Sequence, residues 1–474
     1  MNVLIISAYP PDPAPEANHA LHISECLAQS GHTVHVVCRK GSIAGTMPNI
    51  MVHSTIDEWT WSSLPTLVRE LKECQPDVVF LVYIGWIYNH HPMITFLPSI
   101  CKSALPGVPV ITQFEAIDDD PLTRSIPSRI PRKVAALWAG AKDSHWLFGT
   151  LLRDSARIIA LSGPHRDRLS RQLPGVAEKI TLLPPPPLIR FCPDPPEEAR
   201  QRARRAIGAT ADDFVLVYWG YIYPGKGIET LLEAFRMVST RIPNMRLVLV
   251  GGCLDIPTRS NECKRYYNMV RKLPETFGIA GMVTWTGSFS WDSEEGSLFL
   301  RGSDACVLPF DYGVTLNNSS LAAATTHGVP VIATEIPNGR DEALEHGRNI
   351  YLCRPKDPDT LAEAIELVSS SHDFRDLLPA GSTRLAHEWY AADTFGDRLV
   401  SILAATRGST RVRSGGTDRP IGRDPEDVPD RKTIPEITSP SLTPAATSSR
   451  QPTNDTPPVP LVSVIVAAYN VEGY

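Results

Sequence analysis

Short apolar runs alternate with longer amphipathic stretches through the first 183 residues of the chain. The short runs predict strands because each is brief and rich in β-branched residues; they are NVLIISA, TVHVVC, DVVFLVY, VPVITQF, RIIALS and KITLLP. Between them, segments such as ANHALHISECLAQSG and LPTLVRELKECQ have the spacing of helices that cover a sheet. Strands and helices in alternation indicate a parallel sheet with helices on both faces.

Prolines divide this pattern into two halves. The run Pro184 to Pro187 is soon followed by PDPP at 193–196, and such sequence favours extended backbone. The alternation then restarts with DFVLVYWG, GIETLLEAFRMVSTR, MRLVLVGG, MVTWTG, ACVLPF and VPVIAT. We therefore predict two α/β domains, at 1–187 and 188–392, with a closing helix at 393–406. Ligands of such sheets bind at the carboxyl ends of the strands, which places the chemistry in the cleft between the domains.

Composition narrows the class of protein only slightly. The 474 residues are 42% hydrophobic and 21% charged with a net charge of -6, which is typical of a soluble globular protein without a nucleic-acid partner. No segment reaches the roughly eighteen apolar residues of a membrane span, and MNVLIISAYPP predicts a strand rather than a signal peptide. The nine cysteines are scattered, with no CxxC and no close Cys/His cluster, so we expect neither zinc nor disulfides and a reducing cytoplasm.

The loops after the first strand of each half exclude two common nucleotide motifs. SAYPPDPAPEANHA contains no glycine, and WGYIYPGKGIE does not fit G-x-G-x-x-G, which disfavours a nicotinamide dehydrogenase. No P-loop pattern is present. In the second loop, however, Gly225 and Gly227 permit close approach to a ligand, and Lys226 precedes a helix whose first amides favour an anion. The alternative is a solvated lysine in an ordinary turn.

A second segment suited to an anion is FDYGVTLNNSSLAAATTHGVPVIAT. Asn317, Asn318, Ser319 and Ser320 are good N-caps for the helix that comes next, and they offer hydroxyls and amides to a phosphate. Simple capping of a buried helix is the competing interpretation.

Together these segments resemble a known family. "G…KG-x-E-x-L-L-x-A-F" followed by "A-x-x-x-G-V-P-V-I-A-T" is similar to the donor domain of glycosyltransferase family 4 enzymes, and SAYPP…LAQSGHTVHVV with RIIALSGPHRDRL is similar to their N-terminal acceptor domain. The resemblance covers about 1–405. It implies a GT-B fold of two Rossmann-like domains, a nucleotide-sugar donor such as a UDP- or GDP-sugar in the cleft, no other cofactor or obligatory metal, and retention at the anomeric carbon.

The chain departs from the family at several expected positions. Two glutamates of the family correspond to Thr315 and Ala323, with Asp311 as a substitute for the first only if the loop carries an insertion. The arginine that often accompanies the lysine corresponds to Tyr221. The resemblance therefore assigns the diphosphate to a smaller set of residues, which are Gly225, Lys226, Asn318, Ser319 and Ser320.

Three further residues are candidates near the sugar or the acceptor. Where the family often has a histidine after the fourth strand, this chain has ITQFEAIDDD, which makes Glu115 and Asp118 the candidate catalytic carboxylates. The family's N-terminal glycine pair is replaced by a loop, Glu16 to His19, and His19 is a candidate for contact with sugar or phosphate. The alternatives are solvated or capping carboxylates and a surface histidine.

Two regions bear on location and on the chain beyond the two domains. The segment 124–158 mixes arginines with tryptophans and predicts either a basic amphipathic helix at a membrane surface or an ordinary helix on the sheet. Residues 407–460 have the composition of a disordered linker. The final PLVSVIVAAYNVEGY, at 461–474 with its leading proline, resembles the start of a glycosyltransferase family 2 domain and predicts a truncated two-transferase fusion.

The sequence thus predicts a glycosyltransferase that moves a sugar from a nucleotide donor to a glycan or lipid-linked glycan in surface polysaccharide or glycoconjugate synthesis. Because the glutamates and the arginine are missing, a second hypothesis is a degenerate GT-B module that binds or scaffolds for a following transferase domain. A nucleotide-sugar epimerase on the same fold is a third.

Overall fold

The structure, a computed structural model, describes residues 1–414 apart from 13, 43–46, 118–148, 174, 255–259, 290–292 and 338. Asp118, most of the segment 124–158, the linker beyond 414 and the tail at 461–474 lie outside the described residues. The interpretations of those regions therefore stay predictions.

The first domain is built on a seven-stranded sheet in the order β3-β2-β1-β4-β5-β6-β7, and every neighbouring pair is parallel. The order reverses direction between β1 and β4, which is where open α/β sheets bind ligands. The strands are β1 Asn2–Ile6, β2 Thr33–Arg39, β3 Ile50–Ile56, β4 Val78–Tyr83, β5 Val110–Phe114, β6 Arg157–Ala160 and β7 Ile180–Leu182.

Burial explains why these apolar runs are strands. All six side chains of β4 are buried, as a central parallel strand covered by helices on both faces requires. The covering helices are α1 Pro15–Gln29, α2 Leu64–Cys74, α3 Pro92–Thr95, α4 Leu97–Ala104, α5 Gly149–Asp154 and α6 Gly163–Ser170. Short 3₁₀ turns occur at Trp61–Ser63, Gly85–Tyr88 and Ala177–Lys179.

The second domain repeats this plan with a six-stranded parallel sheet in the order β10-β9-β8-β11-β12-β13. Its strand order reverses between β8 and β11. The strands are β8 Phe214–Trp219, β9 Met245–Val250, β10 Val283–Gly287, β11 Ala305–Leu308, β12 Val331–Thr334 and β13 Tyr351–Cys353. The helices are α7 Pro196–Ala206, α8 Ile228–Ser239, α9 Ser260–Val270, α10 Leu273–Thr276, α11 Glu295–Gly302, α12 Ser319–Thr326, α13 Pro358–Ser370 and α14 His372–Trp389, with a 3₁₀ turn at Ala280–Met282.

A last helix, α15 at Ala392–Ser414, returns to the first domain. Its Phe395, Leu399 and Leu403 are buried in the same apolar cluster as strands β1 and β2. The predicted closing helix ended at 406 and the predicted linker began at 407, but the helix continues to Ser414, and Arg407 Nη2 lies 2.8 Å from Asp77 Oδ1. This ion pair to the first domain holds a segment whose Gly, Ser and Arg content had suggested disorder.

Two further findings concern the described chain as a whole. All nine cysteines are free thiols, as expected for a chain without disulfides. Within the part of the chain that the structure describes, none of the helices is both long enough and apolar enough to cross a membrane.

Candidate active site

A groove runs along the carboxyl ends of the strands, between the two sheets. Its empty space of about 910 Å³ includes volume that is open to solvent. The first domain contributes Pro15 and Asn18 from the start of α1. The second domain contributes the segments that come after β8, β9, β10 and β11; the lining residues used below are Trp219, Gly220, Tyr221, Gly251, Gly252, Ser288, Phe289, Ser293, Ser319 and Ser320.

The wall from the second domain includes four glycines, which are Gly220, Gly251, Gly252 and Gly296. Gly251 has a φ of 145°, and a Cβ there would lie 1.9 Å from the carbonyl oxygen of Gly220. A side chain is therefore excluded at this point for steric reasons as well as by its backbone conformation. Among the described residues that line the groove none is charged, so it offers a ligand amides, hydroxyls and an indole ring.

Two helix N-termini face each other across this groove. On one side α12 begins at Ser319, and Ser319 and Ser320 both line the groove. On the other side α1 begins at Pro15. Since the first amides of a helix carry partial positive charge, the start of α12 favours an anion, whereas the first turn of α1 already holds the buried carboxylate of Glu16.

Asn318 is the N-cap residue of α12, but its side chain does not cap the helix. Its Oδ1 instead accepts a hydrogen bond from the backbone amide of Thr315 at 2.5 Å, while Thr315 Oγ1 accepts one from Asn317 N at 3.2 Å. The loop is thus fixed by its own side chains. The simple-capping interpretation is wrong for Asn318, because no side-chain cap bond is made.

A smaller cavity adjoins the groove and shares Pro15, Leu188 and Ser319 with it. Here His19 Nδ1 lies 2.8 Å from Glu115 Oε1, and the same oxygen accepts a hydrogen bond from Gln113 Nε2 at 2.6 Å. The His19 and Glu115 side chains are 3% and 12% exposed, so the surface interpretations of both are wrong. Glu16, which is also buried, adds a second carboxylate to the cavity lining.

The position of His19 differs from the prediction in one respect. Glu16 to His19 form the first residues of α1 rather than a loop, because the helix already begins at Pro15, a favoured residue at a helix start. Among the described residues, His19 Nε2 has no hydrogen-bond partner although it is buried.

Contacts across the cleft hold the two domains in register at this point. Asn317 Nδ2 donates to the backbone oxygen of Glu115 at 3.2 Å. Asp341, which is 3% exposed, accepts a hydrogen bond from Leu316 N at 3.0 Å and another from the amide of Gly163 in the first domain. Burial raises the pKa of Asp341, and those amides oppose the rise. The loop before α12 therefore contacts the first domain directly.

Lys226 lies apart from the described residues that line the groove. It is 3% exposed, and its ammonium lies 4.0 Å from the ring centroid of Phe310 and 5.0 Å from that of Tyr223. The solvated-lysine interpretation is therefore wrong, since the charge rests on aromatic faces. Gly225 has a φ of 101°, and its carbonyl oxygen accepts from Asp311 N at 2.9 Å.

The other two predicted residues lie on the loop before α12. Asp311 Oδ2 lies 3.4 Å from Lys356 Nζ, and burial raises the pKa of Asp311 while Lys356 opposes the rise and Glu229 adds to it. Thr315 is buried, where its backbone amide and hydroxyl bond within the loop. The structure thus brings together His19, Glu115, Ser319 and Ser320, and it places Lys226, Asp311 and Thr315 behind the groove surface.

Several lining residues were not identified from the sequence. They are Asn18, Trp219, Gly251, Gly252, Ser288, Phe289 and Ser293. The one available signal was their position directly after predicted strands, where a parallel sheet presents its loops to a ligand.

Models of two families match the chain, one on each domain. Residues 17–186 match the model described as Glycosyltransferase Family 4, and residues 213–370 match the one described as Glycosyl transferases group 1. Each match covers most of one sheet and its helices.

Curated relatives agree with these models. The chain is 28% identical over 236 residues to the GDP-mannose-dependent alpha-(1-6)-phosphatidylinositol monomannoside mannosyltransferase of Mycobacterium tuberculosis. The aligned region covers 48% of this chain and 56% of that protein. It is 24% identical over 353 residues to the alpha-D-kanosaminyltransferase of Streptomyces kanamyceticus, covering 73% of this chain and 83% of that protein. The chain spans little more than half the length of the mycobacterial relative that it matches.

Solved structures share the fold. Sucrose-phosphate synthase from Thermosynechococcus elongatus superposes with a TM-score of 0.62 at 17% identity, over 86% of this chain and 99% of that one. The HepE protein of Anabaena in complex with UDP and glucose gives 0.61 at 15% identity, over 85% and 100%. The GT-B fold, with two Rossmann-like domains that face each other across a cleft, is confirmed. Both family models and both curated relatives are described as glycosyltransferases.

Proposed function

We propose that this chain transfers a sugar from a UDP- or GDP-sugar donor to a glycan or lipid-linked glycan acceptor. The observation that carries the proposal is the continuity of two unlike compartments: an uncharged groove between two helix N-termini, and a buried cavity with an imidazole and two carboxylates. The first suits a nucleotide diphosphate, and the second supplies polar side chains beside it for the transfer step.

The diphosphate binds in this proposal where the two compartments meet. Ser319, at the start of α12, lines both of them. As the bond from the sugar to the diphosphate breaks, negative charge grows on the leaving group, and the helix amides stabilise it without reorganisation. Lys226 adds its positive charge from behind the groove, and neither role requires a metal ion.

The nucleoside occupies the wider part of the groove. Trp219 supplies a ring for stacking, and the glycine backbone at Gly251 and Gly252 allows a flat base to approach closely. Ala323 stands where the resemblance placed a ribose-binding glutamate and is 1% exposed. We assign the ribose instead to the serine hydroxyls along the groove, with Ser293, just before α11, and Ser320, on α12, as the first candidates.

The sugar and the acceptor meet where the groove adjoins the small cavity, whose side chains face that junction in this proposal. Glu115 holds His19 through Nδ1, and in this proposal a small movement of the donor-bound site exposes the buried Nε2, which then binds a sugar hydroxyl or the departing oxygen. Glu115 also offers a carboxylate that can accept the proton of an acceptor hydroxyl. His19 and Glu115 therefore act as a pair, with His19 as the contact and Glu115 as its orienting base.

The relatives support the substrate class at a coarse level. The mycobacterial relative is described as GDP-mannose-dependent and acts on a phosphatidylinositol mannoside, and HepE was solved with UDP and glucose. By analogy with these proteins, we propose that this chain uses a lipid-linked or glycan acceptor and retains the configuration at the anomeric carbon. We also propose a role in polysaccharide or glycoconjugate synthesis.

The second candidate is a binding module without transfer activity, favoured by the absence of a carboxylate at Thr315 and Ala323. Isothermal titration with UDP, GDP and their sugars, followed by mass analysis of products with and without glycan acceptors, separates the candidates. We expect nucleotide binding and a product one sugar heavier than the acceptor. Binding without any product would support the module, a changed donor without acceptor would support an epimerase, and no binding would contradict all three.

A further inference from the structure

Two histidines and a cysteine converge on the outer part of the first domain, away from the groove. His35 on β2 and His53 on β3 approach at 2.9 Å between Nδ1 and Nε2, and Cys74 Sγ lies 3.6 Å from the same His53 Nε2. All three ligand atoms lie within 4.8 Å of one another. Cys74 is buried, and the two imidazoles are partly buried.

The fold creates this cluster, although the sequence separates its members by 18 and 21 residues. In the parallel register His53 lies opposite Val37, two residues beyond His35, so both imidazoles are on the same face of the sheet. Helix α2 covers that face and ends at Cys74. Cysteines and histidines are therefore not clustered along the sequence, but the fold brings these three together in space.

The two distances to His53 Nε2 are close to those of a metal site, and the third, between His35 and Cys74, is no more than 4.8 Å. Zinc binds imidazole nitrogen at roughly 2.0 Å and thiolate at roughly 2.3 Å, so the edges of a tetrahedral site are about 3.4 Å between nitrogens and about 3.6 Å between nitrogen and sulfur. The observed nitrogen–sulfur distance is 3.6 Å, and the nitrogen–nitrogen distance of 2.9 Å needs to widen by about half an ångström.

A carboxylate behind the cluster fixes the protonation of its central ligand. Glu70, one helical turn before Cys74, places Oε2 3.0 Å from His53 Nδ1 and is 5% exposed. A proton on Nδ1 that is donated to Glu70 leaves the lone pair of Nε2 directed at the cluster. This is the carboxylate–histidine arrangement that orients metal-binding imidazoles.

We propose that His35, His53 and Cys74 bind a divalent transition metal, with zinc as the best match to two imidazoles and a thiolate. The thiolate and the Glu70 carboxylate together balance the two positive charges of the ion. A water completes the fourth position. The metal joins the edge strand β3 to β2 and to α2, so its role is to stabilise the first domain, and it is independent of the proposed transfer reaction.

Metal titration of the full-length chain tests the proposal. After removal of metal by a chelator, we expect one equivalent of Co²⁺ to bind and to give a thiolate-to-cobalt charge-transfer band that Zn²⁺ abolishes. The band should be lost in Cys74→Ala and kept in Cys26→Ala. Cys26 is the matched control because its Sγ lies 3.4 Å from one imidazole, His22, and among the described residues it belongs to no three-ligand group.

A second pair of variants keeps Cys74 in place, because removal of this buried thiol could unfold the protein and so abolish metal binding indirectly. Glu70→Gln should lower Zn²⁺ affinity about tenfold to hundredfold. Glu73→Gln, the exposed neighbour that pairs with Arg69, should leave it unchanged. The proposal is overturned if the wild-type chain binds no stoichiometric metal, if the charge-transfer band persists without Cys74, or if Glu70→Gln and Glu73→Gln behave alike.

Discussion

The two domains share one architecture but present different chemistry to the cleft. The first supplies a buried histidine and buried carboxylates, whereas the second supplies glycine backbone, serine hydroxyls and aromatic rings. Both reverse their strand order near the centre of the sheet and place their binding loops there. The difference therefore lies in the loops and helix starts, and it assigns recognition of the nucleotide to one domain and the transfer step to the other.

The largest expected effect is a loss of transfer rate when a charged residue of the small cavity is changed. Glu115→Gln keeps the shape of the side chain but removes the negative charge that orients His19. We expect sugar transfer to fall at least about a hundredfold, the lower end for a general acid or base, with nucleotide affinity changed less than about twofold. Initial rates and calorimetric titration measure the two quantities.

Glu335→Gln is the matched control for this variant. Glu335 directly follows β12 as Glu115 follows β5, but it lies outside both compartments in the described structure. A similar loss of rate in both variants, or an equal loss of rate and affinity in Glu115→Gln, would contradict the division between the domains.

The next largest expected effect is on binding of nucleoside diphosphate in the groove, which has no charged residue among the described residues that line it. Ser319→Glu places a negative charge where the diphosphate is expected at the start of α12. We expect nucleoside diphosphate affinity to fall about thirtyfold, or ~2 kcal/mol, because the new carboxylate occupies the positive helix end and repels the diphosphate. Thr66→Glu introduces the same charge in the first turn of α2 and should leave the affinity unchanged; equal affinities in the two variants would place the diphosphate elsewhere.

A smaller effect is expected from Lys226→Met, which removes the charge but keeps a long apolar side chain. We expect about tenfold weaker binding of nucleoside diphosphate, near 1.4 kcal/mol, and no change for the nucleoside alone. Lys356→Met removes a largely exposed charge from the neighbouring loop and serves as control. Equal effects on nucleoside and diphosphate would show that Lys226 acts only through its packing on Phe310 and Tyr223.

The smallest effect concerns acid stability and a histidine behind the groove wall. Burial lowers the pKa of His327 to about 4. In the structure its Nδ1 donates to the backbone oxygen of Ala323 at 2.6 Å, and its Nε2 is hydrogen-bonded to Ser297 Oγ at 2.7 Å. The folded state keeps this imidazole neutral while the unfolded chain takes up a proton below about 6.5, so stability falls as the pH drops from there toward 4.

The contribution of His327 should be about 1 kcal/mol between pH 7 and pH 5.5. Urea unfolding at the two pH values measures it: His327→Gln should be less stable than wild type at pH 7 but lose about 1 kcal/mol less on acidification. The exposed His372→Gln should follow the wild type. The same pH dependence in wild type and His327→Gln would refute the assignment.

Much of the fold could be predicted because central strands are continuous apolar runs. The strands missed were at the edges: β3, IMVHSTI, has polar residues in the middle and is mostly half-buried, and β13 has three residues. Their strand conformation depends on pairing with β2 and β12 rather than on local pattern.

The site was predictable only in part, for a similar reason. Glu115, Ser319 and Ser320 come after recognisable strands, so their place at the cleft is a consequence of the topology. The pairing of His19 with Glu115 joins residues far apart in sequence, and the groove residues Gly252 and Phe289 have no chemical signature of their own. The metal cluster is the clearest case, since a parallel register and a helix end create it.

A crystal structure with bound UDP or GDP tests the central claim most directly. We predict that the β-phosphate lies within hydrogen-bond distance of the Ser319 or Ser320 amide and that the base lies beside Trp219 and Gly251. The terminal β-phosphate oxygen that carries the sugar in the donor should be directed toward His19. A nucleotide seated elsewhere, such as the surface pocket lined by Trp61 and Phe96, would contradict the assignment of nucleotide recognition to the second domain.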